Sequence, residues 1–135
     1  MSQVAIRAAL ETKLDSILPA ISTNWENTPF KPVNGTPYQQ VYLLPGEPDN
    51  PTMGDGFYRD KGILQINLMY PQLTGTGTAA ARAELIRTTF KRGTSIISGG
   101  ITVIIEKTPE IGQGRPDGDR WFIPVRIRWF SDKII

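Results

Sequence analysis

The longest alternation of apolar and polar positions in the chain lies between Gly54 and Tyr70. One side of this run carries apolar residues at a spacing of two: Leu64, Ile66, Leu68 and Tyr70. The other side carries Gln65 and Asn67, so we expect that face to be solvated or to belong to an interface. The pattern predicts a central β-strand that is entered from a glycine-rich turn and has one face in the core.

Several further segments show the patterns of strands. Residues 37–44 and 120–130 alternate over most of their length, and residues 94–107 are typical of a hairpin around a Ser-Gly-Gly turn. A short strand is also predicted at residues 25–27. Pro124 lies inside the last strand and cannot donate to a hydrogen-bond ladder, so this strand is predicted to be an edge or to carry a bulge there.

Two segments show the period of an amphipathic helix, residues 2–18 and 79–90. The first has an apolar stripe made by Ile6, Ala9, Leu10, Leu14 and Ile17. The second places small and apolar residues on one face, namely Ala79, Ala83, Ile86 and Phe90. The order helix, strands, helix, strands predicts an α+β fold with two helices packed on one face of an antiparallel-rich mixed β-sheet. Residues 1–135 are expected to form one domain.

Composition narrows the chemistry open to this chain. It has no cysteine and no histidine, which excludes thiol nucleophiles, thiolate zinc sites and Ser-His-Asp catalysis. Lys and Arg number 15 against 13 Asp and Glu, without the basic cluster that neutralises many phosphates. We therefore expect no enzyme activity, no catalytic residues, no cofactor, no metal and no specific nucleic-acid ligand. No apolar run has the length of a membrane span or a signal peptide, so we expect synthesis in a cytoplasm and no membrane partner.

One short motif has a known nucleotide-binding use. The segment from Gly75 to Ala80 fits G-x-G-x-x-A, in which helix N-terminal amides bind phosphate. However, no acidic residue follows about twenty positions later to hold a ribose, and the element order does not predict a doubly wound sheet. A flexible loop with a helix cap is the favoured interpretation, and a nucleotide-binding module is the alternative from a different class.

Acidic residues gather in two predicted loops, 45–56 and 108–119. They are Glu47, Asp49 and Asp55 in the first loop, and Glu110, Asp117 and Asp119 in the second. Neither spacing matches a calcium loop or a hydrolytic carboxylate pair, so solvated turn carboxylates are the favoured interpretation. The first loop has three prolines and three glycines and is expected to be exposed and to reach away from the body of the protein.

The last strand has an unusual second face. Arg126 and Arg128 lie there beside Phe122 and Phe130. A sheet face that mixes arginine with aromatic residues is either a solvated face or a protein interface, where both residue types are enriched. The composition alone leaves these two interpretations open.

Six segments of the chain carry a resemblance to one known family. They are IRAALET (6–12), WEN (25–27), GTPY (35–38), LLPGEPDNPT (43–52), GDGFYR (54–59) and GILQ (62–65). These segments resemble the phage tail terminator-like family, as in lambda-like long-tailed phages. The predicted hairpin and closing strand follow the same order with less specific residues.

The resemblance implies a structural role without catalytic residues. Such proteins are small α+β domains that form a hexameric ring on the head-proximal end of the tail tube in the virion. The ring stops polymerisation of the tube protein and offers a surface for joining the head through the neck. The implied partners are other copies of this chain, the tail tube protein and a neck or head-completion protein. A neck, head-completion or tube-related phage protein is the alternative within phages.

We expect the partner interface to involve the loop 45–56 and the last strand. The acidic loop tip would complement a basic or amide-rich surface, and Met53 and Phe57 would supply apolar contacts. Self-association is expected through sheet edges and the arginine-bearing face. The hypothesised interface residues are Glu47, Asp49, Asn50, Met53, Asp55, Phe57, Arg126 and Arg128.

Overall fold

The computed structural model describes residues 2–51, 54, 56–72, 75 and 77–134. It contains two helices and eight strands in the described residues. In chain order they are α1 (Ser2–Asp15), β1 (Ser22–Asn24), β2 (Tyr38–Pro45), β3 (Phe57–Pro71), α2 (Gly77–Thr89), β4 (Ser95–Ser98), β5 (Ile101–Ile105), β6 (Glu110–Ile111), β7 (Arg115–Asp117) and β8 (Arg120–Ile134).

The sheet is built around its two longest strands, β3 and β8, which pair antiparallel along their whole length. The strand order is β1-β2-β3-β8-β5-β4, and β6 and β7 also pair with β8. Among the described strands, β1 and β2 form the one parallel pair. The predicted central strand is therefore confirmed, and it pairs with β2 on one side and with β8 on the other.

Both helices cover the same face of the sheet. α1 packs on β4 and β5, and α2 packs on β3 and β8. All five residues of the predicted α1 stripe are buried, as are the four residues predicted to share a face near α2. The predicted α+β fold with helices on one face of a mixed sheet is confirmed. α1 ends at Asp15, three residues before the predicted end.

A glycine allows the largest buried side chain to pass close to the sheet backbone. Trp129 is fully buried and lies opposite Gly62 on β3. A Cβ atom at residue 62 would lie 2.5 Å from the Leu44 carbonyl oxygen and 2.7 Å from the Trp129 ring. Both distances are shorter than van der Waals contact, so the packing of this tryptophan requires glycine there.

Two buried arginines attach loops to this core. Arg82 on α2 donates to the Pro19 carbonyl after α1, and burial lowers the pKa of its guanidinium. Arg120 donates to the carbonyls of Val33 and Thr36, which closes the predicted turn at Gly35. Both side chains satisfy carbonyl groups that no strand pairs, and so fix the position of the long connections.

The short strand predicted at residues 25–27 is wrong by three positions. The structure places β1 at Ser22–Asn24, and Asn27 has a positive φ of 57°. That conformation belongs to a turn rather than a strand. Glu26 in this turn accepts the Leu43 amide N–H at 2.6 Å, so the connection is tied to the edge of β2.

The edge position predicted from Pro124 is also wrong, because β8 lies inside the sheet. β6 and β7, which formed part of the predicted loop 108–119, pair with β8 on either side of Pro124. The Gly112 amide donates to the Pro124 carbonyl at 2.8 Å. Since the nitrogen and carbonyl of a strand residue point to the same side, the missing N–H faces this interruption and not β3.

Candidate partner-binding face

The two faces of the sheet differ in what covers them. We call the side opposite the helices the outer face. The pairing of β2, β3 and β8 places one row of side chains there from Tyr42, Gln65 and Arg126, and the next row from Leu44, Ile63 and Arg128. The two arginines of the sequence hypothesis therefore lie on the same face, in adjacent rows.

One end of the outer face is closed by the chain itself. Tyr38, Met69 and Phe122 form a small buried cluster against Phe30. Asn67 is buried too, so the expectation of a solvated or interfacial second face on β3 is wrong at this end. Phe122 is consequently not available beside the arginines, because this cluster covers it.

The other end of the outer face is open. Tyr42 is 36% and Leu44 is 46% exposed, although both lie on a regular strand. Ile63 is half-buried and Arg128 is exposed. Aromatic, aliphatic and arginine side chains together on an uncovered surface are typical of a protein interface rather than a solvated face.

A concave region continues this open end, and we call it the basic groove. Its volume is about 420 Å³. It is lined by Leu44, Pro45, Gly46, Asp49, Arg59, Lys61, Gly62, Ile63, Glu106, Lys107 and Arg128. Four cationic and two acidic side chains line the groove together with the apolar Leu44 and Ile63, so the groove has a positive balance.

Two of the groove cations are fixed by partners. Arg59 forms two hydrogen bonds with the Asp132 carboxylate, at 2.6 and 3.1 Å, and lies 4.1 Å from the centre of the Phe130 ring. The hydrogen bond with Asp132 raises the pKa of Arg59. Lys61 pairs with Asp49 at 3.0 Å. These contacts hold one wall of the groove in a defined shape.

The other two groove cations are Lys107 and Arg128. Neither Lys107 nor Arg128 takes part in an ion pair with the described residues. Arg126, one row away, lies 4.0 Å from the Glu110 carboxylate. The groove therefore presents two free cations beside two neutralised ones, an arrangement that attracts an anionic group.

The described part of the predicted loop does not form a projecting tip. Asp49 forms backbone hydrogen bonds in both directions with Arg59, so the first part of the loop lies along β3 and does not reach away from the body. Glu47 and Asn50 are exposed beside it. Phe57 is the first residue of β3 and half-buried. Met53 and Asp55 lie outside the described residues.

The nucleotide-binding alternative is not favoured by the topology. α2 begins at Gly77 and follows β3, whose neighbours β2 and β8 both run antiparallel to it. A dinucleotide fold requires parallel neighbours around the phosphate-binding turn. Within the described residues there is also no group of three acidic, histidine or cysteine residues arranged to hold a metal ion. Neither described helix is long and apolar enough to cross a membrane.

Of the residues that line the groove, sequence reasoning identified only Asp49 and Arg128. Arg59, Lys61 and Lys107 were not identified, although Arg59 and Lys61 share the alternation of β3 with Ile63. That alternation shows which face they occupy. It does not show the register that places them beside Arg128, because antiparallel pairing between residues 57–71 and 120–134 is a tertiary property.

Comparison with known proteins identifies the family. The sequence profile of a family described as phage tail terminator protein matches residues 5–129. The chain belongs to the phage tail terminator family. The resemblance found in the sequence segments is thereby confirmed. No curated protein sequence matches the chain significantly.

Solved structures share the fold of this tail terminator family member. One is 27% identical, with a TM-score of 0.79 over 100% of this chain and 98% of the other. A second belongs to the virion of a native gene transfer agent particle. It is 16% identical, with a TM-score of 0.64 over 97% of each chain. That second similarity concerns the fold alone. Family membership assigns this chain a structural role in the phage tail and a place in the virion.

Proposed function

We propose that this chain forms a hexameric ring on the head-proximal end of the tail tube, stops tube polymerisation and offers the surface that joins the neck. Membership of the tail terminator family carries this proposal. The proposed partners are copies of the chain itself, the tube protein and a neck or head-completion protein. The role is assembly without catalysis, in a virion put together in the host cytoplasm.

The open end of the outer face supports a role in assembly. A monomer that left Tyr42, Leu44 and Arg128 uncovered would expose aromatic, aliphatic and cationic groups on a regular sheet. A neighbouring subunit would bury this surface. Burial of its apolar atoms would stabilise the contact by about 25 cal/mol for each Å² removed from water. We assign Arg126 and Arg128 to subunit contacts.

The loop 45–56 is assigned to the tube or to an adjacent subunit. Its beginning is anchored, because Asp49 pairs with the backbone of Arg59 and with the ammonium of Lys61. Glu47 and Asn50 project from this anchored part and are exposed. An anchored loop loses less conformational entropy on docking than a free one, which favours its use as a contact element.

Complementation of a phage that lacks the terminator gene tests this function. Residues 50–55 are replaced by a Gly/Ser linker, and Asp49 is retained so that its pairing with β3 persists. We expect particles with tails of uncontrolled length or tails that lack heads, seen by electron microscopy. The matched control Glu84→Ala changes an exposed residue of α2, on the helix-covered side, and should give normal particles. Normal infectious particles from the linker variant would contradict the loop assignment.

A further inference from the structure

A narrow acidic turn lies at the far end of the sheet from the basic groove. β7 and β8 are joined by a two-residue turn in which Gly118 has a positive φ of 62°. Asp117 and Asp119 flank this glycine, and both are exposed. Neither takes part in an ion pair with the described residues. We call residues 117–119 the acidic tip.

The acidic tip is held in place by the end of β3. The backbone N–H of Gln72 donates to the Asp119 carbonyl at 3.3 Å, and the side-chain amide of Gln72 donates to the Gly118 carbonyl at 2.8 Å. Pairing of Asp117 with Arg120 continues the ladder up to the turn. The two carboxylates therefore project from a rigid support, so little order has to be created when they bind.

The acidic tip and the basic groove complement each other in shape and charge. The groove is concave and contains two cations, Lys107 and Arg128, that lack carboxylate partners among the described residues. The tip is a hairpin turn with two carboxylates that lie two positions apart in the sequence. A carboxylate that meets Arg and Lys side chains forms charge-assisted hydrogen bonds, which are about twice as strong as neutral ones.

The tip cannot reach the groove of its own chain. On β3, Ile63 lies opposite Arg128 and Pro71 lies opposite Arg120, beside the tip. These rows are eight residues apart on the strand, or about 26 Å at about 3.3 Å per residue. Any contact between the tip and the groove must therefore join two copies of the chain.

We propose that the acidic tip of one copy docks in the basic groove of the next, with Asp117 and Asp119 facing Lys107 and Arg128. The contact joins different patches on the two copies, which is the heterologous type that closed rings require. This inference rests on the proposed function, since it names the surfaces through which the ring would form. The occupant of the groove is thus a second copy of this chain.

Zero-length cross-linking with a carbodiimide tests the contact directly. This reagent joins a lysine to a carboxylate only when they touch, and the separation within one copy makes any such product intermolecular. We expect mass spectrometry of the concentrated protein to show Lys107 joined to Asp117 or Asp119. Mixing isotope-labelled with unlabelled protein should give mixed-label products. Cross-linked dimers that join other pairs and never this one would overturn the proposal.

Charge reversal supplies the second test. The variants Lys107→Glu/Arg128→Glu and Asp117→Lys/Asp119→Lys should each weaken self-association by about tenfold or more in sedimentation velocity, because each brings like charges together. The four changes combined in one chain should restore it, since the pair is only inverted. Circular dichroism checks that each variant is folded. Restoration supports the contact. Equal weakening in the combined variant, or no weakening in either double variant, would contradict it.

Three further outcomes separate this proposal from its alternatives. If short DNA duplexes bind the wild type and not Lys107→Glu/Arg128→Glu while association is unchanged, the groove is a phosphate site and the proposal fails. If the double variants associate normally and yet fail in complementation, the terminator function stands and this contact is wrong. If both double variants lose self-association and still complement, the contact forms without serving the ring and the inference is overturned.

Discussion

The two faces of β8 carry different kinds of residue in different surroundings. Ile127 and Trp129 point to the helices and are fully buried, whereas Arg126 and Arg128 alternate with them and point to the outer face. The buried positions have to fit a close-packed core, in which adding or removing a single methylene changes the stability. The outer positions face no helix. We propose that interleaved residues of this strand control fold and association separately.

The largest effect is expected from truncating the inner face. Trp129→Ala removes the largest fully buried side chain and should lower the free energy of unfolding by about 3–5 kcal/mol. Urea denaturation followed by circular dichroism measures this change. The adjacent substitution Arg128→Ala is the matched control, with an expected change within about 0.5 kcal/mol. Similar losses from both variants would break the distinction between the two faces.

A somewhat smaller loss is expected where the inner face approaches the strand backbone. Gly62→Ala would place a Cβ atom 2.5 Å from the Leu44 oxygen and 2.7 Å from the Trp129 ring. The forced shift should cost about 1–3 kcal/mol. Gly56→Ala is the control, because nothing lies within 4 Å of its Cβ position. If thermal melting shows that Gly62→Ala is tolerated as well as the control, the tight tryptophan packing is wrong.

Charge reversal on the outer face should separate stability from association. The double variant Arg126→Glu/Arg128→Glu should have a free energy of unfolding within about 1 kcal/mol of that of the wild type, because neither side chain contributes to the core. Its self-association, measured by size exclusion with light scattering, should weaken. An unchanged oligomer would remove Arg126 and Arg128 from the interface. A large loss of stability would show that the outer face supports the fold.

The smallest effect concerns a carboxyl group on the inner face. Asp60 is 8% exposed, and burial raises its pKa above the usual 3.8, with Lys133 acting in the opposite direction. The folded state therefore binds the proton more tightly, and its stability falls as pH rises from 3.8 through the raised pKa. Asp60→Asn should be more stable than the wild type at pH 7 and equal to it at pH 3. The same difference in stability at pH 7 and at pH 3 would contradict the raised pKa of Asp60.

The periodic patterns predicted the fold well because they record burial on each element. The α1 stripe from Ile6 to Ile17 and the alternation from Leu64 to Tyr70 correspond to the buried positions. The prediction of a sheet edge at Pro124 was wrong, because the missing backbone N–H does not have to lie at an edge. It falls instead at the interruption between β6 and β7, which are two and three residues long and too short to show a period.

The candidate site was predicted only in part. Arg126 and Arg128 share a face because two residues on one strand always do, whatever their neighbours. Asp49 was predicted as an interface residue, but the groove also needs Lys61 from β3 and Lys107 from the segment after β5. These positions are far apart in sequence and are joined by pairing, for which the chain has no local signal. The covering of Phe122 by Tyr38 and Met69 was missed for the same reason.

The position of β8 also determines when the protein can fold. It is the last of the eight strands in the described residues and lies in the middle of the sheet. Each of its residues pairs with a β3 residue at least 49 positions earlier. During synthesis β2 and β3 can pair early as neighbours, but one edge of β3 stays unpaired until β8 leaves the ribosome. Such non-local pairing is slow, and unpaired strand edges favour aggregation. A ribosome that stalls before β8 would therefore release a chain without the centre of its sheet.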